Sequence, residues 1–401
     1  MLQILTELFS WTAYPNKGLK TEVSDHRNSS FFISDLRSLR QRLLGISPEE
    51  ATFARRGFHG GDRIIQQRLE QIGRTFLQGY NAAIAKDNLE TLVAQLNAVE
   101  AEWRGFAFEG AAMGLALLDY LTPWKRNRVQ NFLAGAGADH AYMVHVGVGW
   151  LLARIPFGVE QYLKTYQTQS KIGILRQEPE IGVPRHEPGN ETIGILRQEP
   201  EIGVPRHEPG NETYPKSIER LLGWLAIDGY GFHQGYFHWL RYVEGQVMPS
   251  RLSDYAQRVF DQGLGRSLWF VDGADVARIQ KTLRGFHPRR RADLWSGIGL
   301  ACAYAGGVDR AAIEALRTGA GSYLPQLAQG AAFAAKARSR AGNPALHTEI
   351  ACQVLCGMSA LAAAEITDIA LKDLPMDGAL PAYEIWRQRI QNQFAAGGLT
   401  A

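Results

Sequence analysis

Two short stretches gather residues able to move protons or hold a metal. Asp228-Gly-Tyr-Gly-Phe-His233-Gln-Gly-Tyr-Phe-His238-Trp239 places a carboxylate, two imidazoles and several aromatic rings within a dozen residues. Asp139-His140-Ala-Tyr142-Met-Val-His145 repeats the order, an aspartate followed by two histidines five positions apart. Imidazole and carboxylate ligate iron, zinc and copper, so His140, His145, His233 and His238 could hold a non-haem iron or another transition metal. The spacing resists this. Residues five apart on a regular helix point about 140° from each other, so each pair shares an ion only if its helix is bulged or broken. A second reading makes His233, His238 and His140 acids or bases oriented by Asp228 or Asp139, because imidazole titrates near neutrality. A third leaves them hydrogen-bonded locally among aromatic rings.

Glu109 adds a catalytic candidate of another kind. It sits in Phe106-Ala-Phe-Glu-Gly-Ala-Ala-Met-Gly-Leu-Ala116, where a buried carboxylate needs a partner or a raised pKa. Asp119, Asp272, Asp275 and Asp293 adjoin similar runs. For all five the competing reading is a solvated helix end or an ion pair with Arg104, Arg266 or Arg290. Glycine inside a helix costs about 1 kcal/mol relative to alanine, so Gly110, Gly114, Gly297, Gly299 and Gly330 need a reason. Close helix packing is one; a flat ligand lying against the bare backbone is the other. Phe232, Tyr236, Trp239, Tyr142 and Gly110 are accordingly the substrate-binding candidates. Cys352 and Cys356, one turn apart, read as core residues, as does Cys302, and Arg289-Arg-Arg291 reads as a solvated helix start.

The elements that must position these groups are helices. Ile65, Leu69, Ile72, Phe76 and Tyr80 recur at three- and four-residue intervals, as do Leu89, Leu92, Val93, Leu96 and Val99. Ile218 to Leu225, Val276 to Leu283 and Ala312 to Leu316 follow the same period. Ser47-Pro-Glu-Glu50 predicts a capping box, and Asp309 a helix cap. No alternating strand pattern occurs. Similar words recur in the same order in two halves. Gly73-Arg-Thr-Phe76 matches Gly265-Arg-Ser-Leu268, and Gly114-Leu-Ala116 matches Gly299-Leu-Ala301. Ala134-Gly-Ala-Gly137 then matches Thr318-Gly-Ala-Gly321, with Ala153-Arg154 and Ala337-Arg338 beyond. The expected fold is all-α, with two pseudo-repeated, glycine-rich halves packed together.

Between the halves, the 21 residues Ile172 to Thr192 recur unchanged as Ile193 to Thr213. Prolines and glycines prevent a continuous helix there and little is available to bury, so this segment reads as an exposed loop. Its His186 and His207 are set aside. The expected division is an N-terminal segment 1–46, a first half 47–168, the insert 169–214 and a second half 215–401. The 401 residues are 45% hydrophobic and 21% charged, a globular balance, and a net charge of +3 gives no reason to expect nucleic acid. No apolar run is long enough for a membrane span, no secretion signal is evident, and three cysteines argue against a disulfide framework, so a reducing cytoplasm is expected. Nucleotide-binding loops, the GxSxG elbow and HExxH are absent.

The words LLGWLAIDGYGFHQGYFHW, FDQGLGRSLWFVDGADVARI and RRADLWSGIGLACAYAGG resemble a bacterial family of unassigned function found among enediyne biosynthesis proteins. FARRGF, FEGAAMGLALLDYL and AGAGADHAYMVHVGVGW fit the same family. The resemblance implies a secondary-metabolite setting in which a polyketide synthase makes a linear polyene and accessory proteins convert it. It carries over no catalytic residue. Two functions follow. One is an enzyme performing oxidative or acid/base chemistry on a long apolar polyene or polyketide-derived chain. The other is a non-catalytic partner that binds the polyene, docks other pathway proteins or forms homo-oligomers.

Overall fold

Residues 40–122, 124, 127–165 and 220–396 are described by the computed structural model, and among them every regular element is helical. The insert Ile172 to Thr213 lies outside the described residues. The chain enters through a 3₁₀ turn, Pro48–Ala51, and one helical turn, α1 (Phe53–Arg56). Ser47 caps the turn as expected, accepting from Glu49 N at 3.3 Å. Glu50 does not close the capping box. It is buried and pairs with Arg55 and Arg56 instead, because a carboxylate removed from water gains more from two guanidiniums than from one backbone N–H.

The first half then runs α2 (Arg63–Ala85), α3 (Leu89–Asn97), α4 (Ala101–Leu121), α5 (Arg128–Leu133) and α6 (Ala141–Leu152). A linking helix α7 (Leu225–Phe237) leads to α8 (Asp254–Val271), α9 (Val276–Gly285), α10 (Pro288–Ala305), α11 (Arg310–Ala320) and α12 (Leu324–Arg340). Both series read long, short, long, short, long; the first two matched words fall on corresponding helices, and the last two lie at or just beyond the C-terminal ends of corresponding helices. Three helices close the chain: α13 (Leu346–Leu355), α14 (Ala360–Ile369) and α15 (Ala382–Ala396). Short polar caps start many of them. Asp62 accepts from Ile64 N and Ile65 N before α2, and Asp309 accepts from Ala312 N before α11.

The long helices pack serially, each against the next, in the order α2, α4, α6, α7, α8, α10, α12, α14. Inner members therefore have neighbours on both sides, which is why α6 and α7 are buried almost all round. A glycine word solves the crowding. Gly147-Val-Gly149, Gly229-Tyr-Gly231, Gly263-Leu-Gly265 and Gly297-Ile-Gly299 each lie on one inner helix. Positions i and i+2 are about 200° apart, so one glycine faces the preceding helix and the other the following one. The contacts are reciprocal. A Cβ on Gly149 would overlap the Ala226 carbonyl oxygen and one on Gly229 that of Val146; Gly231 and Gly263 stand likewise against Phe260 and Asp228. Gly265 and Gly297 repeat this against Leu294 and Gln262, and Gly299 and Gly330 against Leu327 and Ser296.

The series folds back on itself. The start of α4 meets the ends of α10 and α12: Asn343 Nδ2 donates to Ala101 O at 3.2 Å, and Phe106 packs edge-on to Tyr304 at 5.1 Å. Arg68 of α2 donates to Ala305 O at 2.8 Å. The two halves thus enclose a common aromatic interior.

Candidate functional site

In this interior the helices bring three charged groups together. Glu109 comes from α4, Asp228 from α7 and Arg266 from α8, and all three are buried. Asp228 and Arg266 form an ion pair, with Gln262 Nε2 donating to the second Asp228 oxygen at 2.8 Å. The guanidinium also lies over the Phe232 ring, 4.6 Å from its centroid. Trp150 Nε1 of α6 donates to Glu109 Oε1 at 2.9 Å. Burial pushes the Glu109 carboxyl up to about 7; Arg266 and the Trp150 bond pull it down, and Asp228 raises it further. Burial opposes the Arg266 charge, but Asp228 and Glu109 outweigh it and raise its pKa. The centre therefore contains one carboxyl poised to exchange a proton near neutrality beside a fixed cation.

Two apolar cavities flank these groups. The first, of about 40 Å³, is lined by Glu109, Phe106, Trp150, Phe232, Tyr236 and Phe237 among others. The second, of about 20 Å³, has Arg266, Tyr142, Val146, Tyr304 and Phe333 in its wall. Val146 and Trp150 are one turn apart on α6, so the cavities succeed each other along that helix. The Phe106–Tyr304 and Phe232–Arg266 contacts divide them.

The sequence-derived candidates distribute unevenly over this geometry. Glu109 and Asp228 meet at the centre, and Phe232, Tyr236 and Tyr142 line the cavities. Trp239 does not; it lies in a surface cleft and donates to Arg56 O at 3.0 Å. Gly110 lines neither of these cavities nor the cleft, and a Cβ there would overlap the Phe76 carbonyl of α2. Helix packing, rather than a ligand, is what requires the glycine. Arg104 and Arg290 are not partners of Glu109. Arg290 pairs with Asp261, and Asp293 is held by Arg258 and Arg387. Arg291 donates to Phe286 O and Arg284 O, so the basic triplet largely serves local structure.

The four histidines do not converge. His140 stacks on Phe108 with ring centroids 3.9 Å apart, and burial, then Arg104, pushes its pKa down to about 4. His145 Nδ1 lies 2.8 Å from Ala141 O. His233 is buried against Trp150 and Phe237, and its pKa falls well below the usual range through burial and then the nearby Arg154. His238 stands 6.2 Å from His233 between ring centroids, in the surface cleft. Ten residues of α6, about 15 Å, separate His140 from Trp150 and hence from the His233 end. Among the described residues no three His, Cys, Asp or Glu side chains are grouped to hold a metal ion. The residues present thus do not fit a shared non-haem iron or other transition metal. Nor do the aspartates orient the histidines: Asp139 is exposed and Asp228 is committed to Arg266 and Gln262.

Arg266 and Trp150 escape a search for histidine clusters. One signal in the chain does point toward the centre: a polar residue directly preceding a helix glycine. Glu109-Gly110, Asp228-Gly229, Gln262-Gly263, Ser296-Gly297 and Gln329-Gly330 share it. The last four form a buried chain, in which Ser296 Oγ joins Gln262 Oε1 at 3.4 Å and Gln329 Oε1 at 2.9 Å. Arg387 of α15 continues the chain to Asp293 and Glu384.

Fold and site together define an all-α protein with a buried Glu109–Asp228–Arg266 cluster between apolar cavities. The family described as "Protein of unknown function (DUF1702)" matches residues 35–177 and 204–394, and the chain belongs to that family. The unmatched residues 178–203 fall inside the tandem duplication. Neither a curated protein nor a solved structure matches the chain. Among the described residues no single helix is long and apolar enough to cross a membrane.

Proposed function

We propose that this protein is a biosynthetic enzyme that takes a long apolar, conjugated chain into its interior and rearranges it by proton transfer through Glu109. The observation that carries the reading is the buried Glu109 carboxyl, with a pKa near 7, opening onto an aromatic-walled cavity beside Arg266. The sequence resemblance to proteins found with enediyne biosynthesis supplies the substrate class, a polyene or other polyketide-derived chain. The two cavities are small, so binding requires the Phe106–Tyr304 and Phe232–Arg266 partition to rotate aside and join them.

In the proposed reaction the Glu109 carboxylate removes a proton from a carbon conjugated to the polyene. The C–H electron pair spreads along the chain, where Arg266 stabilises the negative charge. The resulting carboxylic acid returns the proton to a carbon further along. Double bonds shift, no oxidant is consumed, and the carboxylate is regenerated. An alkyl-tailed conjugated tetraenoate incubated with the protein in D₂O tests this by mass spectrometry. Wild-type protein should introduce carbon-bound deuterium and Glu109→Gln should bind the compound without doing so. Binding without deuterium incorporation by the wild type would overturn the enzymatic reading and leave a non-catalytic polyene-binding protein.

A further inference from the structure

The apolar interior adjoins a polar surface cleft of about 600 Å³, and one aromatic side chain belongs to both walls. Phe237 lines both the 40 Å³ cavity and the cleft. Arg56 lies over the outer face of its ring, 5.0 Å from the centroid. On the cleft side the walls are strongly basic: Arg55, Arg56 and Arg241, with His238 and Trp239 between them. Glu50, which also lines the inner cavity, is paired with Arg55 and Arg56. Arg241 makes no ion pair among the described residues and rests against the Tyr242 ring at 5.4 Å. Burial, then Arg241 and Arg56, lowers the His238 pKa, as expected where positive charge is in excess. Arg241 sits on a single π-helical turn, Leu240–Glu244, directly after α7. Such turns break the regular helix and redirect side chains, frequently at functional sites.

We infer that the cleft binds the anionic head group, carboxylate or phosphate, of an amphipathic ligand whose apolar chain passes Phe237 into the cavity beside Glu109. The inference rests on the proposed function for the apolar part and adds the polar end. The alignment follows from what lies where. An apolar chain alone gains nothing from three guanidiniums, and a small anion alone gains nothing from an aromatic tunnel beyond Phe237. A ligand carrying both satisfies cleft and cavity at once. The head group, fixed by Arg241, would then decide which carbon of the chain reaches Glu109.

Parinaric acid, a conjugated tetraene acid whose emission rises in apolar surroundings, and its methyl ester test the assignment on the full-length protein. The acid should bind about tenfold tighter than the ester, the factor expected for one charge-assisted hydrogen bond. Arg241→Gln should bring the acid down to the affinity of the ester, and Arg289→Gln, at an exposed arginine outside the cleft lining, should leave the acid preference unchanged. Hexadecyl phosphate added as a competitor separates the two head groups. Stronger displacement than by palmitate, lost in Arg241→Gln, assigns phosphate; weaker displacement assigns carboxylate. Equal binding of acid and ester, or an acid preference that survives Arg241→Gln, would overturn the head-group assignment alone. Failure of both acid and ester to bind would instead refute the cavity reading beneath it.

Discussion

Replacing Glu109 by glutamine should remove one contribution to the pH dependence of stability. Glutamine copies the shape of the protonated acid and keeps an oxygen for Trp150 Nε1. In the folded protein the carboxyl titrates near 7 rather than at its ordinary 4.5. That difference corresponds to about 3 kcal/mol in favour of the protonated form. Below pH 4.5 the folded and unfolded chains both carry the proton and the group contributes nothing. From 4.5 to 7 the unfolded chain releases it while the folded chain retains it, so wild-type stability falls; above 7 the full cost of about 3 kcal/mol persists. Glu109→Gln removes that cost. Urea unfolding should find the variant and wild type matched near pH 4.5 and the variant more stable by about 3 kcal/mol at pH 8.5. The difference between the two proteins isolates Glu109 from other groups, notably His140, whose contribution has the opposite sign. Parallel stability curves across this range would mean that Glu109 is ionised throughout, and the proton-transfer reading would fail with it.

Arg266→Gln should destabilise the protein by about 3–5 kcal/mol, since it strands a buried Asp228 charge, while Asp228→Asn/Arg266→Gln recovers much of the loss; equilibrium unfolding of all three variants measures the coupling. Gly297→Ala inserts a methyl against the Gln262 carbonyl between α8 and α10 and should cost about 3 kcal/mol or more, whereas Gly61→Ala, with nothing within 4 Å, should be close to neutral by the same measurement. For His140→Phe, wild-type stability is intact above the ordinary histidine pKa of 6.5 and is lost as pH falls toward about 4, where only the unfolded chain is protonated. Thermal unfolding at pH 7 and pH 4.5 should therefore show the variant gaining on wild type at the lower pH. Deleting Ile193 to Thr213, one of the two identical copies, should leave the melting temperature unchanged, because the family match omits residues 178–203 and the remaining copy supplies the same residues as 204–213, where the match resumes.

The helices and their faces were readable because they rest on local rules. The three- and four-residue spacing of Leu69, Ile72, Phe76 and Tyr80 is the buried side of α2, and Asp309 caps α11 as its position predicts. Glu109 was readable too, as a carboxylate where no water reaches. The centre as a whole was not, because its partners lie more than a hundred residues away: Asp228 and Arg266 reach Glu109 only through serial packing of α4, α6, α7 and α8. The histidine pattern misled for a related reason. Five-residue spacing within a helix is fixed by the chain, whereas convergence between helices depends on which end of α6 meets α7, and His140 lies at the far end. The glycines carried more information than their abundance suggested. Their i, i+2 arrangement announces a helix gripped from two sides, a pattern distinct from the one-sided close contact of a helix pair.

That grip determines where the molecule can yield. With bare backbone pressed against bare backbone at successive interfaces, neighbouring helices have no layer of side chains to compress or slide over, so the spacing between them behaves as a set dimension. Room for a guest must then come from aromatic rings swinging within the enclosure and from Phe237 at its mouth. Under the proposed function, selection among guests becomes a matter of gauge: thin, straight chains are threaded lengthwise, while branched chains of the same carbon count are turned away at the entrance.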